Sequence, residues 1–146
     1  MTDVFTRDVR SRIMASVRSR DTAPEMLVRR MVHRLGFRFR LHRRDLPGTP
    51  DIVFPRLHKI IFVHGCFWHM HARCTRAELP ATNRSFWRTK ISRNAERDRK
   101  DQRQLRKLGW QVLVVWQCDT KEITLLERQV RKFLLANSAQ SSASEK

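Results

Sequence analysis

Tyrosine is absent from this 146-residue chain, which excludes recombinase, relaxase or topoisomerase chemistry that passes through a tyrosine nucleophile. Glycine is scarce: four residues, scattered, form neither a Walker loop nor a dinucleotide fingerprint. No apolar run approaches the roughly 18 residues of a membrane span. The opening MTDVFTRDVR lacks the apolar stretch of a signal peptide, so a cytoplasmic protein with no membrane partner is expected. Three cysteines cannot all pair within one chain, and a reducing compartment keeps thiols reduced, so metal ligation ranks above a disulfide framework. Catalysis, if present, falls to His, Asp, Glu, Ser or a metal ion.

Acidic residues are also few, 14 against 31 Lys and Arg, for a formal net charge of +17. Such a charge repels itself unless a polyanion neutralises it, and nucleic acid is the first candidate. A nucleoid association follows as an expectation. Hydrophobic residues make up 40% of the chain and are interleaved with the basic ones, so this is a folding domain rather than a disordered basic tail. The length fits one domain and one core.

Periodicity divides the chain. Val9, Ile13 or Met14, and Val17 share one side of an Arg-rich helix, a basic arm over 1–20. Thr22-Ala-Pro-Glu25 has capping-box spacing and starts a second helix, with Leu27, Met31 and Leu35 on one stripe and Gly36 placed to end it. Phe37, Phe39 and Leu41 alternate with Arg38, Arg40 and His42, the pattern of a half-buried strand. After a Pro-Gly-Thr-Pro turn, Asp51–Phe54 and Lys59–Val63 read as two adjacent strands. A long basic helix over Ser85–Leu108, a buried strand over Trp110–Trp116 and a helix over Thr120–Leu135, carrying Leu126, Val130 and Phe133, complete a domain over 21–136. The Ser-rich segment 137–146 is expected to be disordered. The class is α/β: a small mixed sheet flanked by helices.

Between Cys66 and Cys74 lie His69 and His71, and Cys118 follows the last strand. Cys66, His71, Cys74 and Cys118 are the favoured tetrahedral zinc set, because Cys66 and Cys118 both follow predicted strands and would meet beside the sheet. Three thiolates and one imidazole make a closed, structural site; buried free thiols are the alternative. Asp51 opens an apolar strand, where a lone carboxylate gains from a metal, although Asp also commonly ends a turn. His64 ends the neighbouring strand on the same sheet edge. His69, left over once the zinc set is filled, is available as a proton acceptor or is a spare zinc ligand. Asp98 falls on the inward stripe of the long helix with Trp87, Ile91 and Leu105, so it needs a partner: His69, or an Arg of another element. Phe67 and Trp68, between metal ligands, are read as held outward, and Trp87 opens the basic helix; all three are flat wedges suited to insertion between bases, with core packing as the alternative.

These segments resemble the very short patch repair endonucleases, the Vsr family, which nick DNA at T:G mismatches. The resemblance runs over roughly residues 8 to 119. It is carried by Leu46-Pro-Gly-Thr-Pro-Asp51, Val63-His-Gly-Cys-Phe-Trp-His69, Pro80-Ala-Thr-Asn-Arg-Ser-Phe-Trp87, Asn94-Ala-Glu-Arg-Asp98 and Leu108–Cys118. It implies a restriction-endonuclease-like core. Asp51 would be the magnesium-binding carboxylate, His69 the general base, Asp98 its orienting partner and His64 a further active-site imidazole. Glu25 matches the family's acidic residue at the second helix. Phe67, Trp68 and Trp87 would be the wedge inserted beside the mismatch, and Met14 would approach from the other groove. Val63 stands where the family has Thr, and Gln117 where Glu is common. Also implied are Mg²⁺ for catalysis, structural Zn²⁺, a monomer acting on T:G duplex DNA, contact with a MutL-type repair protein, and a functional link to a cytosine-5 DNA methyltransferase. The readings that compete with a mismatch nickase are a non-catalytic zinc-stabilised nucleic-acid-binding module and a restriction-type nuclease without mismatch preference.

Overall fold

The computed structural model describes residues 21–136 apart from 73 and 75–77. The expected basic arm with Met14 and the expected disordered tail lie outside the described residues. The elements are α1 (Ala23–Arg34), β1 (Arg40–Leu41), β2 (Ile52–Phe54), β3 (Lys59–His64), α2 (Arg84–Lys107), β4 (Gln111–Trp116), a 3-10 turn (Gln117–Lys121) and α3 (Ile123–Leu135). This is mixed α/β, and from α1 onward the helices and strands follow the order that the periodicity predicts, with the 3-10 turn taking the first residues of the helix expected from Thr120.

Helix α1 begins where its cap residue stands: Thr22 Oγ1 accepts the Glu25 amide at 3.4 Å. Glu25 does not complete the capping box. Its Oε1 accepts the amide of Asp21, one residue before the cap, at 3.1 Å. Gly36, at φ +90°, turns the chain away after Leu35, in a conformation that a Cβ would strain. The strand expected from Phe37 onward shrinks to Arg40–Leu41, because His42 at φ +48° breaks the extended backbone. Phe37 and Phe39 are covered by ring contacts instead, set edge-on to Phe54 with centroids 6.3 and 6.2 Å away.

The four strands lie in the order β1-β2-β3-β4. The first two pairings are antiparallel and β3 with β4 is parallel. A parallel pair needs a crossover connection, and α2 supplies it. Alternation along the strands assigns the two faces. Ile52, Phe54, Ile61 and Val115 pack with Val28, Met31 and Val32 of α1 and with Leu126, Val130 and Leu134 of α3. Val53, Ile60 and Phe62 face Leu105 of α2, with Val112 and Val114 against them. The sheet is therefore covered on both sides, each fully buried aliphatic side chain stabilising the fold by roughly 1.5–3 kcal/mol.

Two expectations need correction. β4 is half-buried apart from Val115, because it is an edge strand. On α3 the buried stripe is Leu126, Val130 and Leu134: the four-residue step carries Leu134 inward and leaves Phe133 half-buried. Lys59, at the start of β3, is buried, and burial pushes its ammonium below the ordinary lysine value. Its Nζ donates to the carbonyls of Phe133 at 2.6 Å, Leu134 at 3.1 Å and Ala136 at 2.6 Å, which closes the C-terminal end of α3. Among the described residues no helix is long and apolar enough to cross a membrane.

The topology brings three chain segments to one end of the sheet. Antiparallel β2 begins where β3 finishes, and parallel β4 finishes there too.

Candidate active site and metal centre

Ile52 pairs with Ile61 across β2 and β3, which sets the preceding residue, Asp51, beside the end of β3. The Val63 amide donates to Asp51 Oδ2 at 2.7 Å, and the Asp51 carbonyl accepts the His42 amide at 3.1 Å. Backbone and side chain are both fixed. Burial pushes the Asp51 carboxyl up to about 7; the Val63 amide opposes the shift and the Glu25 carboxylate adds to it. A carboxyl poised at that point favours a cation beside it.

His64 closes β3 and is buried. Its ring lies flat against that of His69, with centroids 3.8 Å apart and planes 7° from parallel. Burial, reinforced by neighbouring His69, holds His64 well below the ordinary imidazole value; it is neutral at pH 7. His69 comes from the turn after β3, where its amide donates to the Gly65 carbonyl at 3.2 Å. Its Nδ1 is 2.5 Å from Asp98 Oδ2, on the stripe of α2 that also buries Trp87, Ile91, Ala95 and Leu105. With Nδ1–H donating to the carboxylate, the lone pair on Nε2 is the basic site. Among the described residues Asp98 forms no ion pair with an Arg.

Glu25 reaches the site from the first turn of α1 and is buried. Its Oε2 is held by Arg29 Nη2 at 2.5 Å and His42 Nε2 at 2.7 Å. Glu25, His42, Asp51, His64, His69 and Asp98 line one cavity of about 600 Å³. Sequence reasoning missed His42, which strand alternation assigns to the polar face. Its side chain turns toward Glu25 where the left-handed backbone breaks that alternation.

The aromatic residues depart from expectation. Trp68 does not project outward: it is buried and packs with Ile91 and with Trp87, which follows the core-packing alternative. Their ring centroids are 5.9 Å apart, and the half-buried Phe67 meets them edge-on at 5.2 and 5.8 Å. The loop between the cysteines has too few aliphatic residues to cover itself, so its aromatics serve as its core. Among the described residues the outward aromatic is Phe86, 53% exposed, one position before Trp87 on α2.

Cys66, His71, Cys74 and Cys118 offer ligand atoms all within 4.8 Å of one another, and Cys118 Sγ lies 3.4 Å from His71 Nδ1. His71 belongs to this cluster, while His69 faces Asp98. Burial pushes the Cys66 thiol up to about 12 and raises that of Cys118. Three thiols packed against an imidazole are a poor arrangement for themselves and a good one for a thiophilic divalent cation, which draws off their protons. The donor set fits such an ion.

Residues 2–76 match the model of the family described as DNA mismatch endonuclease Vsr. The DNA mismatch endonuclease Vsr of Escherichia coli is 44% identical over 118 residues, 81% of this chain and 75% of that protein. The chain belongs to the Vsr family. It is also similar to the type II nicking enzyme V.XorIIP of Xanthomonas oryzae pv. oryzae, 47% identical over 92% of this chain and 98% of that one. V.NmeAIP of Neisseria meningitidis, a type II nicking enzyme, is 39% identical over 92% of this chain and 95% of its own.

In this Vsr chain the raised Asp51 carboxyl links stability to pH. Between the ordinary value of 3.8 and about 7, the folded state holds a proton that the unfolded chain has lost, so this group's contribution falls as pH rises across that window. Over the whole window the effect is on the order of a few kcal/mol. Thermal melts in EDTA at pH 5 and pH 8 are expected to show a smaller loss on alkalinisation in Asp51→Asn than in the unsubstituted protein. Mg²⁺ is expected to recover stability at pH 8 only when the carboxylate is present. Identical pH dependence in both proteins would show that Asp51 is not the group responsible.

Proposed function

We propose that this DNA endonuclease of the Vsr family nicks one strand of duplex DNA at a T:G mismatch, hydrolysing the phosphodiester on the 5′ side of the thymine. The observation that carries the reading is the His69–Asp98 pair, 2.5 Å apart, set in the same cavity as Asp51 and His64. The mismatch substrate comes from the name of the Escherichia coli relative. Asp51 at the start of a sheet strand, with helices on both faces of that sheet, supports a restriction-endonuclease-like core.

In this reading His69 Nε2 takes a proton from the attacking water, and Asp98 fixes the ring and stabilises the charge that it acquires. The water oxygen bonds to phosphorus, and the bond to the 3′ oxygen breaks in line. The leaving oxygen takes a proton from solvent, giving 3′-hydroxyl and 5′-phosphate ends. His64, neutral and stacked on His69, limits the ring to one plane. Asp51 would hold Mg²⁺, which when bound offsets negative charge developing on the phosphate and leaving oxygen. Cys66, His71, Cys74 and Cys118 would hold structural Zn²⁺ that pins the loop bearing His69. Phe67, Trp68 and Trp87 would unpack from one another to enter the base stack, with Met14 on the opposite groove. The mismatch itself arises when 5-methylcytosine deaminates, so a cytosine-5 DNA methyltransferase creates the need for the enzyme. A monomer passing the nick to a MutL-type repair protein completes the proposal.

The test is a nicking assay on T:G and fully matched duplexes, each in Mg²⁺ or EDTA. Nicking only of the mismatched duplex, only with Mg²⁺ and only on the thymine strand is expected. Equal nicking of both duplexes would make it a restriction-type nickase, and binding without nicking would make it a DNA-binding module. Affinity should fall steeply with salt, because a chain of charge +17 displaces condensed counterions on binding.

A further inference from the structure

The ends of β3 and β4 carry the same arrangement twice, a ring and then a cysteine two residues on: His64 with Cys66, and Trp116 with Cys118. His64 and Trp116 are partners in the parallel register, so the two rings project on the same side of the sheet. Four rings consequently run in sequence from the nuclease site to the cysteine cluster. His69 stacks on His64 at 3.8 Å and 7°. His64 meets Trp116 edge to face at 5.4 Å and 76°. Trp116 stacks on His71 at 4.1 Å and 8°, and His71 Nδ1 touches Cys118 Sγ. Trp116 is itself anchored by its amide, which donates to Asp119 Oδ2 at 2.8 Å.

We infer that Trp116 is a positioning residue for the nuclease reaction: clamped between His71 and His64, it sets the plane of the His64–His69 stack. This rests on the assignment of His69 as base made above. The physical ground is that a ring stacked on one side and met edge-on from another has little freedom to tilt. Asp98 fixes His69 at Nδ1 alone, which leaves rotation about that contact to be stopped by His64. His64, in turn, is met by Phe62 at 5.4 Å and by Trp116, and of the two only Trp116 continues to the cysteine cluster. A flat ring at position 116 is therefore required for the reaction rate and is not required for DNA affinity.

The experiment compares the unsubstituted protein with Trp116→Leu, Trp116→Phe and His69→Ala in single-turnover nicking of a T:G duplex, alongside duplex affinity, bound zinc and the imidazole proton resonances of His64 and His69. The rate constant and the amplitude separate two explanations. A loss of folded protein lowers the amplitude, whereas a misaligned base lowers the rate constant of the active fraction. Trp116→Leu is expected to slow the rate constant about 10- to 100-fold, the scale of a small misplacement at a reacting centre. Its amplitude, zinc content and affinity should stay unchanged, while the His64 and His69 resonances shift. Trp116→Phe should restore most of the rate. An unchanged rate constant in Trp116→Leu, a Phe variant as slow as the Leu variant, or a loss confined to amplitude would each overturn the inference. If His69→Ala nicks normally, it is the assignment of the base that fails, and the two failures are told apart.

Discussion

Asp51→Ala is expected to abolish nicking while leaving the affinity for a T:G duplex nearly unchanged. Asp51 is the carboxylate that the β2–β3 pairing delivers to the cavity, and burial raises its pKa to about 7, a value at which a bound cation readily ionises it. In the proposed reaction its loss would leave the developing charge on the phosphate without the Mg²⁺ that compensates it, and the loss of rate should be on the order of 10³-fold or more. Binding is dominated by basic side chains on phosphates, so affinity should change by no more than about threefold. Alanine also strands the Val63 amide, at a cost of about 1–3 kcal/mol, so Asp51→Asn, which can still accept that amide, is the necessary companion. If both variants are folded and inactive, the charge is what matters. A variant that nicks at the normal rate would remove Asp51 from the reaction.

The second large effect is expected at the cysteine cluster. Cys66 is fully buried, and its sulfur lies among those of Cys74 and Cys118. With the zinc proposed for this cluster, Cys66→Ala should lose that metal and roughly 3–5 kcal/mol of stability, well below the value for a zinc-finger peptide because this domain has a core of its own. For a domain of this size that corresponds to a fall in Tm of roughly 10–20 °C. Calorimetry with metal analysis of the purified protein checks both quantities, and prolonged chelation of the unsubstituted protein should reproduce them. A Cys66→Ala protein that melts at the normal temperature without zinc would show that the cluster is four packed side chains and no more.

Much of this arrangement is legible in the sequence because it follows from period and spacing. Asp98 is separated from Trp87, Ile91 and Leu105 by whole turns of a helix, so its inward direction follows from counting, and the donor it needs leads to His69. Asp51 and His64 are brought together by two short strands joined by a tight turn, which leaves one pairing. Other features turn on a single backbone angle or on alternatives of equal period. His42 looks like the polar side of a strand until φ +48° redirects it to Glu25. Trp68 and Trp87 look the same in a sequence whether they pack on each other or stand ready for a base, because both roles use a flat apolar ring beside cations. Leu134 and Phe133 compete for one stripe, and the winner is decided by a rotation of a few tens of degrees along α3.

The buried ammonium of Lys59 fills the last helix's acceptors from inside the molecule, three carbonyls on one Nζ. Helices usually end by borrowing donors from the residues that follow, and α3 takes this one from a strand 74 positions upstream. Its ending therefore makes little demand on what comes after Ala136. Truncation there, or fusion of a tag or a second protein, should leave the domain's melting behaviour intact.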